Sequence, residues 1–176
     1  MRPVDRGRDW SQVVNTLAGR ADTSLIVVGA DDIEAGFAST ELQAQQWENA
    51  YFAGTAAKLI YNGDANDCPT TFGKTAGFCA YGWSQKQYYS LAHHGSQVQV
   101  LPQVYFPTEA IKWADIDATG DGSEHGGLFF AGALTEHADS PWQLTAQQGW
   151  TALYRAISSV VATPTISHAV DIAVDA

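Results

Sequence analysis

The chain has 176 residues and a formal net charge of −10 at pH 7, with 19 Asp and Glu against nine Lys and Arg. This length predicts one domain, residues 1–176, with a substantial core. The acidic balance disfavours nucleic acid and anionic membrane surfaces as partners. The sequence also has no apolar run of the length that spans a membrane, so neither kind of partner is expected.

Helix-start signals recur along the chain. Three of them are capping boxes, in which a Ser or Thr cap is followed three residues later by Gln. Two others place an Asp or a Thr before a run whose apolar residues are three and four apart. The predicted caps are Thr40, Ser84 and Thr145 for the boxes, and Asp9 and Thr108 for the other two helices. A polar loop, Asp115 to Gly126, is expected to follow the helix that begins at Thr108.

Four apolar runs between these helices are predicted to be strands. They are Ser24–Val28, Lys58–Asn62, Gln97–Phe106 and Gly127–Leu134. Their β-branched and aromatic residues suit strands buried in a parallel sheet. The first run is expected to end at a turn at Gly29-Ala30. Pro102 has no amide hydrogen to donate, so it is expected at a bulge or at a strand end. The residues after the last helix are expected to be irregular or to add one strand.

The order is one helix followed by four strand–helix units, which predicts an α/β fold with a parallel sheet and right-handed crossovers. Eight such units and about 250 residues make a typical (β/α) barrel. The sequence therefore predicts either an open, doubly wound sheet or a partial TIM barrel, in which this chain is the C-terminal part of a longer barrel. A partial barrel would leave a sheet edge uncovered, and a homodimer is one way to cover it.

The stretch from Thr23 to Glu34 is an apolar run that ends in three carboxylates, Asp31, Asp32 and Glu34. Strand-like alternation would point Asp32 and Glu34 to the same side, with Ile33 packed opposite. Carboxylates at this end of a strand are where α/β enzymes place their chemistry. A functional site is favoured over the alternative, in which these are polar loop residues that cap the next helix.

Polar side chains also follow the other predicted strands. Parallel strands end at one edge of the sheet, so we expect these residues to share a rim with Asp32 and Glu34. They are Asp64 after the second strand, Gln103 and Tyr105 at the end of the third, and Glu136 and His137 after the fourth. Cleavage of a glycosidic bond needs two carboxyl groups roughly 5–10 Å apart, one of them protonated. Glu34 and Glu136 are the predicted pair.

Cys68 and Cys79 are the two cysteines, and the residues between them are rich in Gly, Thr and Pro. A disulfide that closes this loop would stabilise the fold by about 2–3 kcal/mol. Such a pair in an acidic chain favours a secreted protein over a cytosolic one with two free thiols. The sequence begins without a signal-peptide pattern, so an exported protein would be represented here either by its mature form or by a chain trimmed at its N-terminus.

Several segments together resemble a group of mostly uncharacterised, glycoside-hydrolase-like secreted bacterial proteins. The segments are GADDIEAGF, the Trp-Glu-x-x-Tyr helix, YNGDANDC, GWSQKQYY, VLPQVYF, the Ala-Ile-Lys-Trp helix and GALTEH. The resemblance extends from about Gly7 to Ile157. Members of the group are longer, with barrel strands before the part seen here, so the resemblance implies part of a (β/α) barrel.

A looser resemblance is to chitinase-like barrels, whose fourth strand ends in Asp-x-Glu. Asp32-Ile33-Glu34 matches that ending, whereas Gly29-Ala30 stand where the pattern has further acidic residues. The resemblance implies that Glu34 is the proton donor and that Asp32 orients an N-acetyl group of the substrate. It also implies that Tyr105 contacts the substrate.

Three functions follow as hypotheses. The first is a secreted hydrolase that cleaves a glycan or another extracellular polymer, with Glu34 as general acid, Asp32 as its orienting partner and Glu136 as second carboxylate. The second is a non-catalytic carbohydrate- or wall-binding module. The third is a metal-dependent hydrolase that uses Asp32, Glu34 and His137, with His137 the weakest of these ligands.

Substrate contacts are expected from polar and aromatic side chains. The chain has six Trp and seven Tyr, and such rings stack against sugars as well as filling cores. The expected contacts are Asp64, Gln103 and Tyr105 on the rim, and Trp47, Trp83 and Trp113 as stacking platforms. No GxSxG, GxGxxG or P-loop pattern is present, so an esterase and a nucleotide-binding protein are disfavoured, and no cofactor is expected.

Overall fold

The computed structural model describes residues 2–36, 40–70, 77–121, 127–160, 164 and 166–172. The helices are α1 (Pro3–Ala18), α2 (Glu41–Gly54), α3 (Gln85–Ala92), α4 (Pro107–Asp121) and α5 (Ala146–Ser158). The strands are β1 (Gly29–Asp32), β2 (Leu59–Gly63), β3 (Val98–Pro102), β4 (Phe130–Thr135) and β5 (Ile166–Asp171).

The five strands form one sheet, in which every strand is parallel to its neighbours and the order is β1-β2-β3-β4-β5. This confirms the predicted α/β fold with at least four strand–helix units, and β5 adds a strand at the C-terminal side. Each helix contacts the next one along the chain, so the helices form a single layer on one face. A doubly wound sheet would have helices on both faces. Consecutive strand–helix units with the helices on one face are compatible with part of a (β/α) barrel.

The two faces of the sheet differ in burial. Leu59 and Tyr61 of β2 and Val98 and Val100 of β3 are fully buried against the helix layer. Residues that alternate with them, such as Ile60 and Leu101, are only half-buried. Within the described ranges, no helix covers this second face, and β1 and β5 each pair along one edge only. The sheet is therefore open in the part of the chain that the structure describes.

All three predicted capping boxes are confirmed. The side chains of Thr40, Ser84 and Thr145 each accept a hydrogen bond from the backbone amide three residues later. In each case the Gln at that later position bonds back to the amide of the cap. These reciprocal bonds satisfy amides that the first helical turn leaves unpaired, and they fix where α2, α3 and α5 begin.

The first predicted strand is displaced by several residues. Ser24–Val28 is not a strand, and within it Leu25 is 64% and Ile26 is 90% exposed. The strand is instead Gly29–Asp32, so the turn predicted at Gly29-Ala30 is wrong. The physical reason is pairing: β2 begins at Leu59, whose register partner is Gly29, and the residues before Gly29 have no strand beside them. Strand propensity alone does not form a strand without a neighbour.

The fourth helix is longer than predicted. Asp115 and Asp117 lie within α4 and are buried, so the polar loop expected from Asp115 is wrong over its first part; residues 122–126 lie outside the described residues. Asp117 accepts a hydrogen bond from the amide of Leu128, 2.6 Å away. The cap also differs, because α4 begins at Pro107 and the carboxylate of Glu109 accepts the amides of Tyr105 and Phe106 at 2.6 and 2.8 Å.

β2 lies within one residue of its predicted bounds, whereas β4 begins three residues later than predicted. β3 is only half as long as the predicted strand, because it ends at Pro102, which confirms the expected place of that proline at a strand end. α1 begins at Pro3, so the cap predicted at Asp9 is wrong.

A disulfide joins Cys68 to Cys79, as predicted. Residues 71–76 of the loop that it closes lie outside the described residues. Among the described helices, none has both the length and the apolar character that crossing a membrane requires.

Glu48 of α2 is an acid in the core. It is only 2% exposed, and burial raises the pKa of this carboxyl to about 8. Its Oε1 atom has no hydrogen-bond partner among the described residues. The side chain is therefore protonated in the folded protein at neutral pH, whereas it would be ionised in the unfolded chain.

This difference predicts a pH dependence of stability. Between about pH 4.5 and 8 the Glu48 carboxyl is ionised in the unfolded chain but protonated in the folded chain. The contribution of Glu48 to the free energy of unfolding therefore decreases as pH rises, by about 1 kcal/mol per pH unit. Glu48→Gln should remove that contribution, giving a smaller decrease in urea-unfolding free energy over this range. Asp9→Asn, at an exposed site on α1, is the control and should leave the slope unchanged. Equal slopes for parent and Glu48→Gln would contradict the assignment.

Candidate functional site

The end of β1 presents Asp32 and Glu34 on the same side. Ile33, between them, is 5% exposed and packs into the core, which confirms the predicted alternation. The backbone of Ile33 is held by β2, because its amide donates to the carbonyl of Asn62 at 2.8 Å and its carbonyl accepts the Tyr61 hydroxyl at 3.0 Å. The two carboxyl groups are therefore carried by a fixed segment at the carboxyl end of the sheet.

Gln103 connects β3 to both acids. Its Nε2 atom donates to Oε1 of Glu34 at 2.5 Å and to Oδ1 of Asp32 at 3.4 Å. The amide of Gln103 itself donates to the carbonyl of Gly63 at the end of β2, 3.0 Å away. The structure thus brings together three residues that the sequence placed on one rim, and it does so across the intervening strand.

The protonation of this group is asymmetric. Burial, followed by the charges of Asp32 and Asp64, raises the pKa of Glu34 to about 7. Burial also raises the pKa of Asp32, but a hydrogen bond between the Asp32 and Glu34 side chains acts in the opposite direction on Asp32. Within this pair the hydrogen bond therefore favours the proton on Glu34 over the proton on Asp32. This is the division of roles that a general acid and a neighbouring carboxylate require.

Asp64 lies beside this pair at the end of β2. Burial raises the pKa of Asp64, and the charge of Lys112 partly offsets that effect. Its Oδ1 atom, like Oδ1 of Asn62, is buried without a hydrogen-bond partner in the described part of the chain. Polar oxygens without partners are uncommon in folded proteins, and an ordered water is the usual partner of such a buried atom.

Tyr105 lies between the two groups of acids. Burial, and then the charges of Glu136, Glu34 and Asp32, raise the pKa of Tyr105 above its ordinary value. The phenol is therefore neutral at physiological pH and can donate a hydrogen bond. Its backbone carbonyl accepts the amide of Leu144, 2.9 Å away, which holds the loop after β4 against the end of β3.

Glu136 and His137 begin the loop after β4, and this loop is anchored by β5. Asp171 accepts the Thr135 hydroxyl at 2.8 Å and the His137 amide at 2.7 Å. Nδ1 of His137 lies 2.9 Å from the carbonyl of Gln143, so this nitrogen carries the proton. Gln143 in turn donates to Oε2 of Glu136 at 3.4 Å. The sequence did not indicate Asp171, because nothing in a short C-terminal segment shows which strand it will join.

The three tryptophans predicted as stacking platforms belong to the core. Trp47 is 9% exposed and Trp83 is 3% exposed, and Trp113 is fully buried. Trp113 packs edge-on against Tyr61 and Tyr88, and Trp83 packs on Tyr88. This expectation is therefore corrected: their rings fill the space between the helices and the sheet and offer almost no face to a sugar.

Other aromatic rings are exposed in the loops that follow the strands. They are Phe78 and Tyr81 after β2, Phe106 after β3 and Trp142 after β4, with exposures of 80%, 74%, 43% and 75%. Sequence reasoning missed them because it chose tryptophans without knowing which side of each element would be buried. Their position in loops between strand ends and helices was the signal that could have identified them.

The acids and histidines do not gather as a metal site. Within the described ranges, no group of three or more His, Cys, Asp or Glu side chains is close enough to hold one ion. The set Asp32, Glu34 and His137 is thus not assembled, since Glu34 and Asp32 lie at β1 and the loop of His137 follows β4. The rim instead brings together carboxyl groups with raised pKa values and a phenol.

The comparisons with known proteins found no relative of this chain. No protein-family model matches it, and neither a curated protein nor a solved structure does.

The hydrogen bond from Gln103 leads to a testable prediction about the pKa of Glu34. The hydrogen bond from Gln103 favours the ionised form of Glu34, so Gln103→Leu, which keeps the size of the side chain and removes the donor, should raise the pKa of Glu34 further. Carboxyl ¹³C NMR titration would measure this. Gln99→Leu, four residues earlier in β3 and on the same face, is the matched control and should leave the titration unchanged. A lower or unchanged pKa of Glu34 in Gln103→Leu would contradict the assigned contact.

Proposed function

We propose that this chain is a secreted glycoside-hydrolase-like enzyme that cleaves a glycan by carboxylate general acid/base catalysis. The observation that carries the proposal is the Glu34 carboxyl group, whose pKa of about 7 places a proton at the sheet rim. That carboxyl is hydrogen-bonded to Gln103 and to the neighbouring Asp32. A general acid works best when its pKa lies near the working pH, because the group is then both protonated and able to give the proton up.

The proposed reaction begins with proton transfer. Glu34 gives its proton to the glycosidic oxygen while the bond from that oxygen to the anomeric carbon breaks, and the leaving sugar keeps the electron pair. The anomeric carbon becomes electron-poor, and the charge of Asp32 beside it stabilises that state. Water then adds its oxygen to the anomeric carbon and gives one proton to a carboxylate, for which Glu136 is the proposed base. Exchange with solvent restores Glu34 and Glu136 to their starting protonation.

Tyr105 and Asp64 have supporting roles in this proposal. Tyr105 lies within electrostatic reach of acids on both sides, and its neutral hydroxyl is suited to hold a sugar hydroxyl or the bound water. Asp64 lies close enough for its charge to raise the pKa of Glu34, so its proposed role is to keep that carboxyl protonated. The proposal places the protein outside the cell, and the disulfide between Cys68 and Cys79 supports that location.

The central prediction concerns Glu34→Gln. This variant keeps the shape of the side chain but cannot donate the acid proton, so kcat should fall by about 10²–10⁴. The measurement is release of reducing ends from a panel that includes chitin, peptidoglycan, cellulose, xylan and α-glucans. Asp31→Asn is the matched control, because Asp31 is the adjacent acid but points to the opposite side of the strand. Unchanged turnover in Glu34→Gln on a substrate that the parent cleaves would contradict the proposal.

The same panel separates the proposal from a binding module. Glycan binding by the parent without release of reducing ends, and with the same affinity in Glu34→Gln, would indicate a non-catalytic carbohydrate-binding protein.

A second prediction is the pH profile. Glu34 must carry its proton to act, so kcat/KM should be high below about pH 7 and should fall as pH rises through the pKa of Glu34. Gln103→Leu should move this alkaline limb to higher pH, because it removes a hydrogen bond that favours the ionised form. The measurement is kcat/KM from about pH 4 to 9. A rate that instead increases between about pH 7 and 9 would show that the essential group acts as a base.

A further inference from the structure

Tyr81 has an unusual backbone conformation for a large residue. Its φ is 55° and its ψ is 24°, in the left-handed region that side chains other than glycine rarely adopt. Its ring is nevertheless 74% exposed, so the conformation is not a by-product of burying the aromatic group in the core. A non-glycine residue in this region costs of order 1 kcal/mol or more and is kept only where its surroundings enforce it.

The surroundings of Tyr81 do enforce it. The amide of Cys79 donates to the carbonyl of Trp83 at 2.7 Å, and the amide of Ala80 donates to the carbonyl of Asn66 at 2.9 Å. The disulfide from Cys79 to Cys68 connects the same turn to the loop that follows β2. Tyr81 is therefore displayed at the tip of a turn that is fixed on both sides.

The ring of Tyr81 lies beside the segment that follows β1. It packs against Gly36, where an added Cβ atom would lie 2.6 Å from the Cε2 atom of the ring. Gly36 itself has a φ of 110° and comes two residues after Glu34. Any larger residue at position 36 would displace the ring, so the close approach requires glycine. The turn thus holds an exposed aromatic ring against the segment that carries the proposed general acid.

A second exposed ring lies on the other side of the rim. Trp142 is 75% exposed in the loop after β4, and the next residue, Gln143, donates to Glu136. Tyr81 therefore packs against the segment that follows the acids of β1. Trp142 lies in the same loop as Glu136.

We propose that Tyr81 is a sugar-stacking subsite and that Trp142 is its counterpart, so that the substrate is an extended glycan that crosses the rim over Glu34 and Glu136. This inference rests on the proposed function and adds the substrate class. The apolar face of a pyranose ring packs well on an aromatic face, and two such faces on opposite sides of the acids bind a chain of sugars better than a single terminal sugar.

The test measures binding in the Glu34→Gln background, so that turnover does not consume the sugars. The probes are hexamers and dimers of β-1,4-linked N-acetylglucosamine, glucose and xylose, and a soluble peptidoglycan fragment, studied by titration calorimetry. Tyr81→Asn removes the ring with a residue that tolerates the left-handed conformation, so the fold should be retained. Tyr81→Phe keeps the ring, and Phe78→Ala removes an equally exposed ring from the same loop as a matched control.

The expected result is an increase in hexamer Kd of about tenfold for Tyr81→Asn and for Trp142→Ala, with less than about twofold for Tyr81→Phe and Phe78→Ala. Both ring-removing variants should also reduce the gain in affinity from dimer to hexamer. Hexamer binding that is equal in the background protein and in Tyr81→Asn would overturn this inference while leaving the proposed function in place.

Two further outcomes separate the inference from the catalytic proposal. If Tyr81→Asn weakens hexamer binding but the protein with Glu34 intact hydrolyses none of the bound sugars, the subsite is supported and the catalytic proposal fails. If neither the parent nor Glu34→Gln binds any probe, both are overturned.

Discussion

The rim depends on a contact at the start of β1, where the hydroxyl of Tyr51 occupies the space beside Gly29. An added Cβ at Gly29 would lie 2.4 Å from that hydroxyl, which donates to the carbonyl of Lys58 at 3.1 Å. The same carbonyl accepts the amide of Gly29 at 2.9 Å. Through Tyr51, α2 therefore contacts the first hydrogen bond between the segments of β1 and β2, the one from Gly29 to Lys58. A slip of one residue in this register would turn Asp32 and Glu34 into the core and Ile33 out to the rim.

The rim has an energetic cost that the remainder of the fold must offset. Several half-buried acids lie near one another, and their raised pKa values mean that the folded state disfavours their ionised forms. Each such shift lowers stability as pH rises between the unfolded and folded pKa values. The fully buried layer of Leu59, Tyr61, Val98 and Val100 between sheet and helices supplies the apolar burial that makes this tolerable. Functional sites commonly take this form, with local instability supported by a packed scaffold.

Much of the fold could be predicted from the sequence because its signals are local. A capping box involves four consecutive residues, so Thr40, Ser84 and Thr145 identified three helix starts correctly. The meeting of Asp32, Glu34 and Gln103 also followed, since strand order alone brings the ends of β1 and β3 to one edge. The displaced first strand and the burial of Trp47, Trp83 and Trp113 could not be predicted. Both depend on partners distant in the chain, as does the packing of Tyr81 against Gly36.

The anchoring of the β4 loop by Asp171 has a consequence for synthesis on the ribosome. The contacts of Gln103 with β1 can form once the first three strands have emerged, although they connect residues about seventy positions apart. The loop that begins at Glu136 acquires its anchor only when Asp171 has been translated and β5 has paired with β4. The two halves of the rim therefore form at different times, and the nascent protein can position Glu34 before the loop of Glu136 is anchored.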